Sequence, residues 1–197
     1  MKKVYLSNTE TLDNVEYVLR DSFGNIKPIF NDNRLCQFLI KKGVISPFWM
    51  NYRYASWLMP LLGSMSDSKQ VSNLITTAGR GLISGRINGA GSPAAATYIA
   101  VGTGATAAVI GDTTLQTETA VSGLARANGT VSTVTTTVTN DTSQITNTFT
   151  VTGTVAVTES GVLNAAAAGT LLCRQVFSAI NVANGDSLQI TWKIQNT

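Results

Sequence analysis

The stretch Leu188-Gln189-Ile190-Thr191-Trp192-Lys193-Ile194-Gln195 alternates strictly between large apolar and polar side chains. Because successive side chains of a β-strand point to opposite faces, this period of two predicts a strand with one face in the core and the other in water. The same alternation runs from Ile145 through Phe149 to Val157, with threonines between many of the apolar positions. Alternation with one wet face is typical of antiparallel sheets.

Other segments of the carboxy-terminal part follow this pattern. Residues 98–102 alternate, and residues 130–139 are almost entirely valine and threonine, while turn-forming residues occupy 127–129, 140–141 and 184–186. About eight such strands at spacings of roughly 8–12 residues are typical of a sandwich or jelly roll. We therefore predict a mainly β protein whose residues 93–197 form an antiparallel β-sandwich or jelly-roll-like domain.

The amino-terminal part has a different, mixed character. Alternation at 15–19, turn chemistry at 21–25 and a return at 26–30 predict a hairpin. A short helix follows, for which Asn31 or Asp32 is the predicted cap and Gly43 the end. We predict that residues 1–72 form a smaller mixed α/β attachment arm of hairpin, helix and aromatic segment. Residues 73–92 are predicted to be a helix from Asn73 and a Gly/Pro linker.

Composition excludes several classes of function. Only 13% of the residues are charged, about half of the usual fraction, and there is no histidine. Catalytic sites with an imidazole base and zinc sites with histidine ligands are therefore excluded. The two cysteines, Cys36 and Cys173, cannot form a four-cysteine metal site. We expect no enzyme activity, no cofactor and no metal.

Charge and hydropathy also bear on partners and location. The densest cationic pairs, Lys2-Lys3 and Lys41-Lys42, are too small for a nucleic-acid footprint, so we expect no nucleic-acid partner. The most apolar stretch, residues 44–63, contains Asn51, Arg53 and two prolines, so we expect no membrane-spanning helix. Two cysteines placed 137 positions apart and expected to remain thiols fit synthesis in a reducing cytoplasm.

The aromatic segment, residues 47–59, contains the candidate interface residues. Trp, Tyr, Met and Arg are the residue types enriched at interface hot spots, which indicates an anchor onto another protein. The predicted contacts are Trp49, Tyr52, Arg53 and Trp57. The alternative is that these rings fill the core of the arm.

Isolated charges in the β-domain indicate structural ion pairs. Arg126 and Glu159 stand in strands with few other charges, and an unpaired buried charge is costly. We predict that both are partnered, within the domain or across an interface. The run Gly102-Thr103-Gly104 lacks the Lys-Ser/Thr of a phosphate-binding loop and predicts a tight turn after a strand.

Threonine is concentrated in the strands, with 13 threonines between Thr130 and Thr158. Threonine favours the pleated backbone and keeps a surface wet without charge. Such a surface lacks the edge lysines and glutamates that discourage association between sheets. This composition indicates a protein that packs against neighbours.

Several motifs resemble a family of tailed-bacteriophage and prophage virion proteins, over about residues 73–197. The motifs are residues 98–104, 111–115 with Glu118, Arg126, 157–163, 169–174, 176–178 and 184–192. Residues 20–25 are weakly similar to the leading segment of such proteins. The resemblance implies a non-enzymatic, β-rich and usually oligomeric virion component.

Together these observations favour a capsid decoration or cement protein that stabilises the phage head. Its arm would bind the major capsid protein, and the β-domain would self-associate as a homo-oligomer, with a trimer favoured. The expected location is the virion, on the capsid surface rather than the tail. One alternative is a tail-fibre or baseplate adaptor bound to a tail protein. Another is a carbohydrate-binding module that reads host glycans, although Trp192 lies on the apolar face of its strand.

Overall fold

The structure is a computed structural model that describes residues 14–42, 44 and 59–196. Strands account for 46% of the residues and helices for 12%, and the sheets are antiparallel. The predicted mainly β class is therefore confirmed. The elements of the first half are β1 (Asn14–Arg20), β2 (Ile26–Lys27), β3 (Ile29–Asp32), α1 (Arg34–Lys41), α2 (Met59–Leu62), β4 (Gly63–Ser66), β5 (Lys69–Ser72), β6 (Leu74–Ile75) and α3 (Thr77–Asn88). Those of the second half are β7 (Tyr98–Gly102), β8 (Ala127–Asn128), β9 (Thr130–Val134), β10 (Thr142–Thr150), β11 (Val155–Leu163), β12 (Leu171–Val182) and β13 (Ser187–Gln195).

Two large sheets and a small two-stranded sheet contain these strands. Sheet 1 has the order β2-β1-β13-β10-β9, with β5 also paired to β1. Sheet 2 has the order β6-β12-β11-β7-β8, and β3 pairs with β4 in a separate two-stranded sheet. The chain passes from sheet 2 to sheet 1 at Gly129, where an added Cβ would lie 2.7 Å from Ile145 Cγ2. Glycine therefore lets the backbone change layers without a clash.

The core lies between the inner faces of the two sheets. Leu188, Ile190, Trp192 and Ile194 of β13 are all buried, as their alternation predicts. Trp192 Nε1 donates a hydrogen bond to Ser160 Oγ of β11, 3.2 Å away, so the two sheets are joined by a polar contact as well. The contact matters because a buried indole N–H needs an acceptor.

The amino-terminal hairpin is built into sheet 1. β1 pairs with β13 over its full length, from Asn14 opposite Lys193 to Arg20 opposite Ser187. The turn after it is held by Asp21, whose side chain accepts hydrogen bonds from two backbone N–H groups. Strands from the region predicted as an arm, residues 1–72, are thus part of the same sheet as the carboxy-terminal strand. Attachment of that region to a partner stays a prediction.

Both predicted helices begin at different residues from those expected. The cap of α1 is Asn33, whose Oδ1 accepts from the N–H of Cys36, because Asn31 and Asp32 are engaged in β3. The predicted helix from Asn73 begins only at Thr77, since residues 74–75 form β6. Thr76 caps this helix by accepting from the N–H of Gly79. Gly43 lies outside the described residues.

The alternating run from Ile145 to Val157 is also interrupted. Ile145 and Phe149 belong to sheet 1, whereas Val157 belongs to sheet 2, and residues 151–154 cross between them. All three side chains remain in the shared core. Alternation therefore identified the buried positions but not the change of sheet.

Candidate functional site

A buried carboxylate organises the outer face of sheet 2. Glu159 of β11 is fully buried beneath the loop formed by residues 103–118, called here the covering loop. Its oxygens accept backbone N–H hydrogen bonds from Gly104 at 3.1 Å, Gln116 at 3.0 Å and Thr117 at 2.6 Å. Three amide donors converge on this one carboxylate and so tie both ends of the loop to the sheet.

Arg174 of β12 completes this cluster. Its Nε donates to Glu159 Oε2 at 2.8 Å, and its Nη1 donates to Asp112 Oδ2 at 2.7 Å. Its Nη2 donates to the carbonyl of Thr106 at 3.1 Å. With the Arg174 side chain only 3% exposed, this guanidinium is a buried bridge between sheet and covering loop. A planar guanidinium can serve several acceptors at fixed angles in this way.

The glycines of the Gly102-Thr103-Gly104 run make room for the same carboxylate. A Cβ on Gly102 would lie 2.6 Å from Glu159 Oε1, and one on Gly104 would lie 2.5 Å from it. The run therefore encloses an internal anion, and the Gly104 amide is directed to Glu159. This assignment gives a specific reason for glycines that the sequence explained only as a turn.

Arg126 and Glu159 both lie in ion pairs, but not with each other. Arg126 Nη2 is 2.6 Å from Glu118 Oε2, and its Nη1 donates to the carbonyls of Ala165 and Ala168. The salt bridge of Glu159 is with Arg174. Both pairs lie within the domain. Glu159 and Arg174 belong to the neighbouring strands β11 and β12, whereas Arg126, just before β8, pairs with Glu118 of the covering loop.

A second buried cluster joins the two-stranded β3–β4 sheet to sheet 2. The Lys69 ammonium donates to Asp32, to Ser178 Oγ and to the carbonyl of Phe30, the last at 3.0 Å. Burial lowers the pKa of Lys69, and the charge of Asp32 opposes that shift. Lys69 and Ser178 are at most 1% exposed, so a substrate cannot reach this amine and hydroxyl. The cluster is suited to holding the two-stranded β3–β4 sheet in place.

The edge strand of sheet 1 is exposed to solvent and has no charged side chain. β9 is the terminal strand of that sheet, and Thr130, Val131, Ser132 and Thr133 are exposed. Between Arg126 and Glu159 the single charged residue is Asp141. Backbone hydrogen bonds, that of Val138 foremost, lower the pKa of Asp141, and its carboxylate is held within its own turn. The ionised Asp141 therefore stays in the turn that follows β9, and no charged side chain lies within Thr130–Val134 itself.

An open strand edge presents unpaired backbone N–H and C=O groups that another strand can bind. On the outer face, the part of β10 beside β9 is also neutral, and Thr146 Oγ1 lies 3.2 Å from Thr191 Oγ1 of β13. The charged Lys193 of β13 lies one strand farther from the edge, opposite Gln144. Hydroxyls and amides there can form hydrogen bonds but do not repel an identical surface. We call β9 and this adjoining neutral face the edge surface.

The predicted interface residues Trp49, Tyr52, Arg53 and Trp57 lie outside the described residues. Sequence reasoning missed Arg174, Asp112, Lys69 and Asp32 as parts of the buried clusters. A usable signal was present for Arg174, because it is the single charge among residues 171–177, which apart from Gln175 are otherwise apolar. Lys69 had no comparable signal, since its burial depends on how the two-stranded β3–β4 sheet packs on sheet 2.

Within the described part of the chain, no group of three or more acidic or cysteine side chains could hold a metal ion. No helix there has both the length and the apolar character needed to cross a membrane. Comparisons with protein-family models, curated proteins and solved structures find no match to this chain.

Proposed function

We propose that this chain is a structural protein of a tailed-bacteriophage virion that decorates or cements the capsid. The edge surface is the observation that carries the proposal. A building block must present a surface that neighbours can bind repeatedly, and an exposed strand edge without charge is such a surface. The sequence motifs that resemble virion proteins give the class of assembly.

The distribution of charge supports the same function. Glu159, Arg174, Lys69 and Asp32 are used inside the domain, in the two buried clusters. These clusters hold the covering loop and the two-stranded β3–β4 sheet against the two large sheets. Rigid placement of surface segments suits a protein whose neighbours must bind in a constant geometry, because little ordering is then required on binding.

The aromatic rings of the β-domain give less support to a carbohydrate-binding module. Trp192, Phe149 and Phe177 are at most 3% exposed, so they cannot stack on a sugar. Tyr98 of β7 is half-buried. Glycan-array binding by the whole chain would favour this alternative over the proposal.

The decisive test changes the charge of the edge surface. Thr130→Lys places a lysine on β9, whereas Thr139→Lys places the same charge on an exposed threonine of the following turn. We expect Thr130→Lys to reduce self-association in sedimentation velocity and incorporation into particles, while Thr139→Lys leaves both unchanged. Equal behaviour of the two variants would contradict a role for the edge surface.

The place of the chain in the virion is tested separately by mass-spectrometric counting of copies per particle. Hundreds of copies are expected for a capsid decoration protein. A handful of copies would instead indicate the tail-fibre or baseplate adaptor. High-resolution imaging of virions would locate the chain and identify the surface that the aromatic segment contacts.

A further inference from the structure

The second buried cluster brings an amine, a carboxylate and a hydroxyl into mutual contact. Lys69 Nζ donates hydrogen bonds to Asp32 Oδ1 and to Ser178 Oγ. Ser178 Oγ in turn donates to the same Asp32 oxygen at 2.6 Å. The carboxyl carbon of Asp32 lies only one bond, about 1.2 Å, beyond that oxygen. An amine and a carboxyl group can condense to an amide, and here the two reactants already touch.

Water is excluded from this cluster. The side chains of Lys69 and Asp32 are 1% and 5% exposed, and Ser178 is fully buried. In water an ammonium and a carboxylate are stabilised by hydration, and their removal from water is costly. Two reactants held in the correct geometry also have an effective concentration of about 10⁵–10⁸ M. Burial and contact therefore both favour condensation, which replaces two buried charges by a neutral amide.

The charges of this pair can neutralise each other. Within the part of the chain that the structure describes, Lys69 forms a salt bridge with Asp32 alone. Transfer of one proton from the ammonium to the carboxylate therefore leaves no third charge unpaired. Burial lowers the pKa of Lys69, which favours the neutral and nucleophilic amine, whereas the charge of Asp32 opposes that shift.

We propose that Lys69 and Asp32 condense to a side-chain amide, an isopeptide bond, with Ser178 as the carrier of the proton. Ser178 Oγ accepts a proton from the ammonium and donates one to Asp32 Oδ1. The neutral Nζ then attacks Asp32 Cγ, so that the Nζ–Cγ bond forms, the Cγ–Oδ1 bond breaks and the oxygen leaves as water. Of the three ammonium protons, one stays on the amide nitrogen and two leave with the water. The step requires no oxidant and no further reactant.

The isopeptide bond would join separate parts of the fold. Asp32 ends β3 of the two-stranded sheet, whereas Lys69 begins β5, which is paired to β1 in sheet 1. A cross-link between positions 37 apart restricts the unfolded chain, as a disulfide does. The inference goes beyond the virion role and does not depend on it.

The first experiment is intact-mass spectrometry of the full chain under denaturing conditions. We expect the wild type to be lighter than its sequence by the mass of one water. Lys69→Met keeps an unbranched side chain but removes the amine, so its mass should equal that of its sequence. The matched control is Lys27→Met. Lys27 also pairs with an aspartate, Asp186, at 2.6 Å, but its side chain is 37% exposed, so this variant should still lack one water.

Peptide mapping of the wild type locates the lost water and does not depend on the folding of any variant. Trypsin does not cleave after an acylated lysine, so we expect a branched peptide of residues 21–34 joined to residues 54–80. A wild-type chain at its full sequence mass would overturn the proposal. So would a linear peptide 21–34 that lacks one water while cleavage after Lys69 is normal, because Asp32 would then have cyclised on its own backbone.

Ser178→Ala tests the path of the proton. Proton transfer by a positioned side chain accelerates a reaction by about 10²–10⁴-fold, and the variant should lose this factor. We therefore expect freshly purified Ser178→Ala to contain unreacted chain at the full sequence mass. Condensation as complete as in the wild type would contradict the role of Ser178. None of these masses depends on whether the protein is found in virions.

Discussion

Replacement of Glu159 by glutamine should be among the most destabilising single substitutions in the β-domain. The variant keeps the shape of the side chain but removes its charge, leaving the buried guanidinium of Arg174 with Asp112 alone as its carboxylate partner. The new amide NH₂ also faces backbone N–H donors that the carboxylate accepted. Removing one partner of a buried ion pair costs about 3–5 kcal/mol.

That loss is large beside the free energy of unfolding of a domain, about 5–15 kcal/mol. For a chain of this size each kcal/mol shifts Tm by about 2–4 °C, so Glu159→Gln should lower Tm by about 6–20 °C. Chemical denaturation with two spectroscopic probes measures the free energy directly. The covering loop should become susceptible to proteolysis at lower denaturant than the sheets.

The matched control is Glu118→Gln, which removes a carboxylate from the pair with Arg126. The Glu118 side chain is 29% exposed, and a pair accessible to solvent contributes about 0.2–1 kcal/mol. If Glu159→Gln lowered the free energy of unfolding by an amount within about 1 kcal/mol of the loss in this control, the assignment of a buried cluster would be refuted. A double-mutant cycle with Arg174→Gln should give a coupling energy of about 0.5–3 kcal/mol.

Three further outcomes follow from the same packing. Gly79→Ala should destabilise the protein, because its Cβ would lie 2.1 Å from a carbonyl oxygen of β12. At Gly81 an added Cβ meets no atom within 4 Å, so Gly81→Ala should raise the free energy of unfolding by about 0.5–1 kcal/mol, as measured by thermal unfolding. Gly104→Ala should lower the free energy of unfolding by about 1–3 kcal/mol, because the added methyl crowds the buried carboxylate. Gly111 has open space around it, so the stability of Gly111→Ala in urea unfolding should be within about 0.5 kcal/mol of the wild type. Burial raises the pKa of the Cys36 thiol from 9.0 to about 11. The thiol therefore ionises at lower pH in the unfolded chain than in the folded protein, and the stability of the wild type should fall as the pH rises from 9.0 to about 11. Cys36→Ala should flatten that part of the pH dependence, and an unchanged slope would show that the thiol does not contribute to it.

Local patterns predicted the buried faces of the strands well. The period of two in residues 188–195 is enough to place Leu188, Ile190 and Trp192 in the core, because the pleat directs every second side chain to one side. The turn at 21–25 was likewise recognisable, because side chains such as that of Asp21 accept hydrogen bonds from backbone N–H groups a few residues along the chain. Such features depend on neighbours within a few positions.

Helix boundaries were less predictable because tertiary pairing competes with local propensity. The apolar positions at 74, 78 and 82 suit a helix, but Leu74 and Ile75 instead pair with β12. Thr76 then caps the helix and also donates to the carbonyl of Leu171. The sheet therefore determines where α3 begins.

What the sequence alone determined is the mainly β class, the identity of the inward-facing residues and the scarcity of charge. The tertiary structure alone decided that β1 lies beside β13, that Glu159 binds Arg174 rather than Arg126, and that Lys69 is buried. The physical reason is the range of the interactions. Alternation is written into adjacent residues, whereas each of these contacts joins segments distant in the chain, and only the packing of the sheets brings their atoms within hydrogen-bond distance.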